Sequence, residues 1–171
     1  MNYASAGHGS HQHLAGELFR LNTGADVTHV PYNGGGAAVL ALLGGQTELG
    51  ILALPTARAH LDSGKLRAIA ITSEKRSTAS PGIPTFVESG FPGLEADQFM
   101  GILAPAGTPG AIIARMNTEI VKIVNAPDVR KRLEDLGFLV TGSSPEGFAE
   151  TLKLETEKWS KVVKQAKIRV D

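Results

Sequence analysis

The chain has no cysteine. Disulfides, thiolate chemistry and cysteine-based metal sites are therefore excluded. It has no surplus of charge either: 17 basic and 17 acidic residues give a formal net charge of zero. No basic patch stands out, which argues against nucleic acid as a partner. No apolar run approaches the roughly 20 residues of a membrane-spanning helix. Met1-Asn2-Tyr3 enters folded-looking sequence at once, without the charged, apolar and small-residue order of a signal peptide. There is no Gly-Lys-Ser/Thr, so a P-loop is excluded. Gly-x-Ser-x-Gly is also missing, because Gly7-His8-Gly9-Ser10-His11 lacks the closing glycine. No repeat of solenoid period and no low-complexity segment occurs.

What is present is a soluble, glycine-rich chain of 171 residues with an apolar share of 42%. That length is enough for one domain or two small lobes. The organising stretch runs from Ser5 to Phe19. Tyr3-Ala4 leads into a loop with Gly7 and Gly9, and Ser10 then precedes a helical pattern of Leu14, Leu18 and Leu21. Ser is a favoured N-cap, since its hydroxyl can accept from an orphan N–H of the first turn. The construction recurs one unit later: Val27–Val30 as a strand, Pro31 to Gly36 as a loop, and Ala37–Leu43 as a helix closed by Gly44-Gly45. Two helix N-termini approached over residues with little side chain form a place for an anion. Together they suggest a crevice for a small acid.

The spacing further predicts strands at Glu48–Ala53 and Leu66–Thr72, with a helix from Pro55 to about Leu61 between them. Short alternating connections imply a parallel α/β sheet. Residues 73–84 read as a loop, and Pro84–Glu88 as one helical turn. The second half predicts strands at Phe99–Ala104 and Phe138–Val140. It also predicts helices from Pro109 to Asn125, from Pro127 to Leu136 and from Ser144 onward. In the first of these, Ile112, Ile113, Met116, Ile120, Ile123 and Val124 form the expected buried stripe; in the last, Phe148, Leu152, Trp159 and Val162 point inward.

Among chemical candidates, Gly7-x-Gly9 lacks the third glycine of a dinucleotide fingerprint, because Gln12 stands there. His8, His11 and His13 lie close together, but His11 and His13 are two apart and point about 160–200° apart on a helix. The expectation is no metal, with two surface histidines and one packed at the helix start. His8 beside a bound anion is the more reasonable role. Ser5 and Ser10 have histidines nearby but no orienting acid, so no catalytic triad is read.

Several motifs in serial order carry a resemblance. They are Ser5-x-Gly7-x-Gly9-Ser10-x-x-His13-Leu14-Ala15-Gly16-Glu17-Leu18-Phe19, Val30-Pro31-Tyr32-x-Gly34, Gly44-Gly45-Gln46, Gly64–Ala70, Pro84-Thr85-x-x-Glu88-x-Gly90 and Gly101-x-x-Ala104–Pro109. Over almost the whole chain they resemble the Bug/TctC family, the extracytoplasmic solute receptors of tripartite tricarboxylate transporters. The resemblance implies an α/β, type II periplasmic-binding-protein-like fold. It places residues 1–97 in one nearly complete lobe (lobe 2) and 98–171 in the C-terminal portion of the other. It implies capture of a small carboxylate and delivery to membrane permease subunits, with no catalysis and no cofactor. Ser5, Gly7, His8, Gly9, Ser10, Tyr32, Asn33, Gly34, Gly35, Gly36 and Phe99 are the implied ligand-binding residues. Family members are longer and begin with a signal peptide, so the resemblance implies a truncated receptor. The parent would be periplasmic, and this chain cytoplasmic if Met1 is a genuine start. The alternative expectation is a non-binding, truncated receptor that self-associates through unpaired sheet edges.

Overall fold

A computed structural model describes residues 1–169. Three short strands and three helices alternate as far as residue 62, after which three more helices follow among the described residues. The elements are β1 (Asn2–Ser5), α1 (His11–Thr23), β2 (Thr28–Pro31), α2 (Gly35–Leu43), β3 (Leu49–Gly50), α3 (Leu54–Asp62), α4 (Gly110–Val124), α5 (Pro127–Asp135) and α6 (Pro145–Ala166). The strands form one parallel sheet in the order β2-β1-β3. Tyr3 lies opposite His29 on one side and opposite Leu49 on the other.

The helix ends follow local chemistry. Ser10 caps α1 by accepting from the His13 N–H at 3.2 Å. Gly24, at φ 68°, closes it, and its N–H donates to the Arg20 carbonyl. Left-handed backbone of that kind costs glycine nothing. Ser144 caps α6 through the Gly147 N–H, and prolines stand in the first turns of α3, α5 and α6.

The core sits around β1. Tyr3, Ala4 and Ser5 are buried, with Ala38, Val39 and Ala41 of α2 also buried. Tyr3, Ser5 and His29 share one face of the sheet, which α1 covers: the Tyr3 hydroxyl donates to Glu17 Oε1 at 3.2 Å. Gly16 allows this approach, because a Cβ there would lie 2.4 Å from the Tyr3 ring. Val162 of α6 is buried as expected, while Phe148, Leu152 and Trp159 are half-buried.

Three expected strands do not form. Leu66–Thr72 keeps its alternation, with Leu66, Ala68 and Ala70 half-buried and Arg67 and Ile69 exposed, but pairs only through an isolated bridge from Ile71 to Thr85. Phe99–Ala104 and Phe138–Val140 have no strand partner among the described residues. Alternation records which faces differ in polarity; a ladder also needs a neighbouring backbone. The expected stripe on α4 is a second correction. None of its residues is buried, and Ile112, Met116 and Ile123 are exposed, because little of the described chain packs on that face. Just before the expected boundary between residues 97 and 98, Leu94 and Ala96 are buried, and the Ala96 N–H donates to the Thr72 carbonyl at 2.9 Å.

Candidate functional site: two glycine corners at the carboxyl edge of the sheet

The chain leaves β1 toward β2 on one side, then returns across β1 to β3 on the other. Right-handed crossovers in the two directions place α1 and α2 on opposite faces. The crevice beside the carboxyl end of β1 is therefore the switch point of the sheet, where open α/β folds take their ligands. Because the strands are parallel, α1, α2 and α3 all begin at this edge.

The first corner, residues 5–10, is held from within. Ser5 is fully buried. Its Oγ accepts from the Gly7 N–H at 3.1 Å and lies 2.5 Å from His29 Nε2. Ser10 Oγ donates to the Gly7 carbonyl at 2.7 Å while capping α1. Gly7 has φ 134°, and a Cβ on it would come within 3.2 Å of the Tyr32 carbonyl. The second corner docks on the first: the Tyr32 N–H donates to the Ser5 carbonyl at 3.1 Å, and the Gly34 N–H to the Ala6 carbonyl at 3.0 Å. The Tyr32 hydroxyl reaches Gln46 Oε1 at 3.3 Å.

Of the residues implied to bind ligand, Ser5 and Ser10 thus use their hydroxyls inside the corner. Gly7 and Gly9 are half-buried; His8, Asn33, Gly34 and Gly36 are exposed. Added Cβ atoms on Gly34 and Gly36 would meet nothing within 4 Å, whereas one on Gly35 would meet Thr56 of α3 at 3.2 Å. The second helix start is therefore open at Gly34 and Gly36 and packed at Gly35. Neither α2 nor α3 has a side-chain cap, and no acidic residue occupies the first turn of α1, α2 or α3. Uncompensated N–H groups and aligned peptide dipoles make this edge favourable for an anion. Phe99 belongs elsewhere: with His11, Gln98, Leu152 and Trp159 it lines a groove between α1 and α6 that includes no residue of either glycine corner.

The histidines depart from expectation. His11 faces Trp159, with ring centroids 5.2 Å apart. His13 and His29 stack, 3.8 Å apart with 10° between planes, and His8 meets both edge-on at 5.4 and 5.2 Å. Burial, then His13 and His8, depress the His29 pKa to about 4. Burial likewise lowers that of His13, against the pull of Glu17. Both rings are neutral at pH 7. Burial, reinforced by Glu17, raises the Tyr3 phenol, and the Glu17 carboxylate also pairs with Arg20 at 2.8 Å. His29 was not selected from sequence because its place beside His13 depends on the lateral register of β1 and β2; the available signal was the Val27–Val30 strand itself.

A family model for the tripartite tricarboxylate transporter family receptor matches residues 1–168. A UPF0065 protein in the tcbD-tcbE intergenic region of Pseudomonas sp. (strain P51) is 36% identical over 172 residues, covering 100% of this chain and 51% of that protein. Among solved structures, R. palustris Rpa4515 with adipate superposes with a TM-score of 0.89 at 33% identity, over 98% of this chain and 56% of that one. MatC (Rpa3494) from Rhodopseudomonas palustris with bound malate gives a TM-score of 0.79 at 34% identity, over 95% and 56%. The chain spans about half the length of the curated relatives it matches, and its α/β fold is that of periplasmic solute-binding proteins over that half. On the family match across residues 1–168, the chain belongs to the tripartite tricarboxylate transporter receptor family.

Proposed function

We propose that this chain supplies one wall of a cleft that captures a small carboxylate for a tripartite transporter. In this reading residues 1–97 form most of one lobe and residues 98–171 the C-terminal part of the other. Membrane permease subunits are the receiving partners, the setting is periplasmic, and no catalytic step is involved. One observation carries the reading: the bonds from Tyr32 to Ser5 and from Gly34 to Ala6 lock two acid-free helix starts together at the switch point of the sheet. The structural relatives with adipate and malate support a dicarboxylate as the ligand class.

Backbone amides of residues 35–37, with those of Ala6 and His8, would receive one carboxylate; the Gly7, Gly9 and Ser10 amides are spent inside the corner. Ser10 and Ser5 act here as the frame of the corner. The test is isothermal titration of the full chain with adipate and malate, beside Gly36→Asp. An aspartate at that open position suits the start of a helix and leaves α2 intact, but it places a negative charge where the ligand's would sit. Binding that falls at least tenfold in Gly36→Asp supports the reading; equal affinity in the two proteins, or none in the parent chain, refutes it.

A second reading rests on exposed apolar side chains: Met100 at 77%, Leu103 at 72% and Leu139 at 84% exposure. A chain carrying such surface would associate with another copy rather than bind solute. Light scattering separates the two, since a monomer that binds dicarboxylate excludes it.

A further inference from the structure

We propose that His8, His13 and His29 form a binding site for a divalent transition metal of the imidazole-preferring class, such as Zn²⁺. The three residues come from different places in the chain: the β1–α1 loop, the first turn of α1, and β2. Each offers a ring nitrogen, and these atoms lie within 4.8 Å of one another. The donor set is all imidazole, which suits Zn²⁺, Ni²⁺ or Cu²⁺ over Mg²⁺ or Ca²⁺. The nearby Glu17 carboxylate is engaged by Tyr3 and Arg20.

His13 is buried and His29 half-buried, so both rings are presented from within the fold. His8 is exposed and gives the ion a path in, with water completing its coordination. The His29 ring is already held from behind, as metal-binding histidines are. His29 Nε2 meets Ser5 Oγ, and His13 Nδ1 accepts from the Gly9 N–H at 3.1 Å.

Binding requires a local change. Stacked rings aim their lone pairs in parallel, so one ion cannot take His13 and His29 as they stand. The rings must fan about their soft χ2 torsions until the nitrogens are about 3.3 Å apart, the separation that two 2.0–2.1 Å bonds at a tetrahedral angle require. Because the Gly9 N–H donates to Nδ1, the His13 ring proton resides on Nε2. The ion either takes Nδ1 in place of Gly9, or takes Nε2 as the proton crosses to Nδ1. In both cases the Gly9 bond is exchanged for the metal bond, so the Gly9 amide reports occupancy.

The experiment titrates Zn²⁺ into the full chain at about pH 7.5, with His8→Ala and His60→Ala alongside, and follows the Gly9 amide by NMR. His8 is exposed, so its loss leaves the fold in place, which circular dichroism verifies. Saturable binding in the parent chain and in His60→Ala, at least tenfold weaker in His8→Ala, with the Gly9 amide shifted on saturation, is the expected result. No saturable binding, undiminished binding in His8→Ala, or a Gly9 amide that does not move overturns the proposal. The readout involves no carboxylate, so it stands or falls apart from the transport reading.

Discussion

The backbone N–H of Gly34 donates to the carbonyl of Ala6 at 3.0 Å. This bond joins the second glycine corner to the first across the carboxyl edge of the sheet. With the Tyr32–Ser5 bond beside it, the corners move as one unit. Substitutions that disturb one corner should be felt at the other.

Gly7→Ala is the most direct disturbance. At φ 134° an L-residue is strained, and its Cβ would press on the Tyr32 carbonyl at 3.2 Å. The expected cost is about 1–3 kcal/mol of stability. Urea unfolding measures it, and a midpoint equal to that of the parent chain would show that the corner has slack.

Gly16→Ala tests the other side of the same unit. A methyl at Gly16 would overlap the Tyr3 ring at 2.4 Å, so α1 must lift from β1. Overpacking of this kind costs typically about 1–3 kcal/mol. Thermal unfolding should show a lowered Tm, and exposure of the Tyr3 hydroxyl, with its separation from Glu17, should bring the phenol pKa down toward its ordinary value. An unchanged phenol titration argues against the described packing.

Ser10→Ala removes a cap, and its effect on ligand should be indirect. The hydroxyl accepts from His13 and donates to Gly7. We expect a loss of about 1 kcal/mol in stability, with carboxylate affinity weakened less than in Gly36→Asp. A larger affinity loss in Ser10→Ala would mean that its hydroxyl turns to the ligand.

Acid should loosen the Thr85–Glu88 turn. Glu88 Oε2 accepts from the Thr85 N–H at 2.8 Å while the Glu88 N–H donates to Thr85 Oγ1 at 3.1 Å, a reciprocal capping box. The Thr85 N–H first, and then Arg76, hold the Glu88 pKa below its ordinary 4.5. A depressed carboxylate contributes stability above its unfolded pKa, and that contribution is lost as pH falls through the folded one. Urea midpoints followed downward from about pH 6 should therefore drop more steeply in the parent chain than in Glu88→Gln; parallel curves would contradict this.

Helix starts were legible because a cap is a local device: Ser10, Pro55, Pro127 and Ser144 stand at or next to the observed starts of α1, α3, α5 and α6. Strands at 28–31 and 49–50 were legible from apolar runs bounded by glycine and proline. Leu66–Thr72 shows the limit, since its alternation persists while only Ile71 finds a partner. The α4 stripe was correct as a pattern and wrong as burial, because periodicity does not state what lies opposite. The glycine corners and the Ser10 cap were visible, but the bonds of the Ser5 and Ser10 hydroxyls to Gly7 were not, since they depend on the turn folding back on itself. The His13–His29 stack needed the β1–β2 register.

The central claim is that a carboxylate sits on the amides of the two corners. The measurement that tests it most directly is an amide NMR titration of the full chain with adipate. The account predicts saturating shifts at His8, Gly35, Gly36 and Ala37 that are absent from the corresponding amides of Gly36→Asp. Shifts confined to Phe99, Gln98 and Trp159 in the α1–α6 groove, with the corners silent, would contradict it.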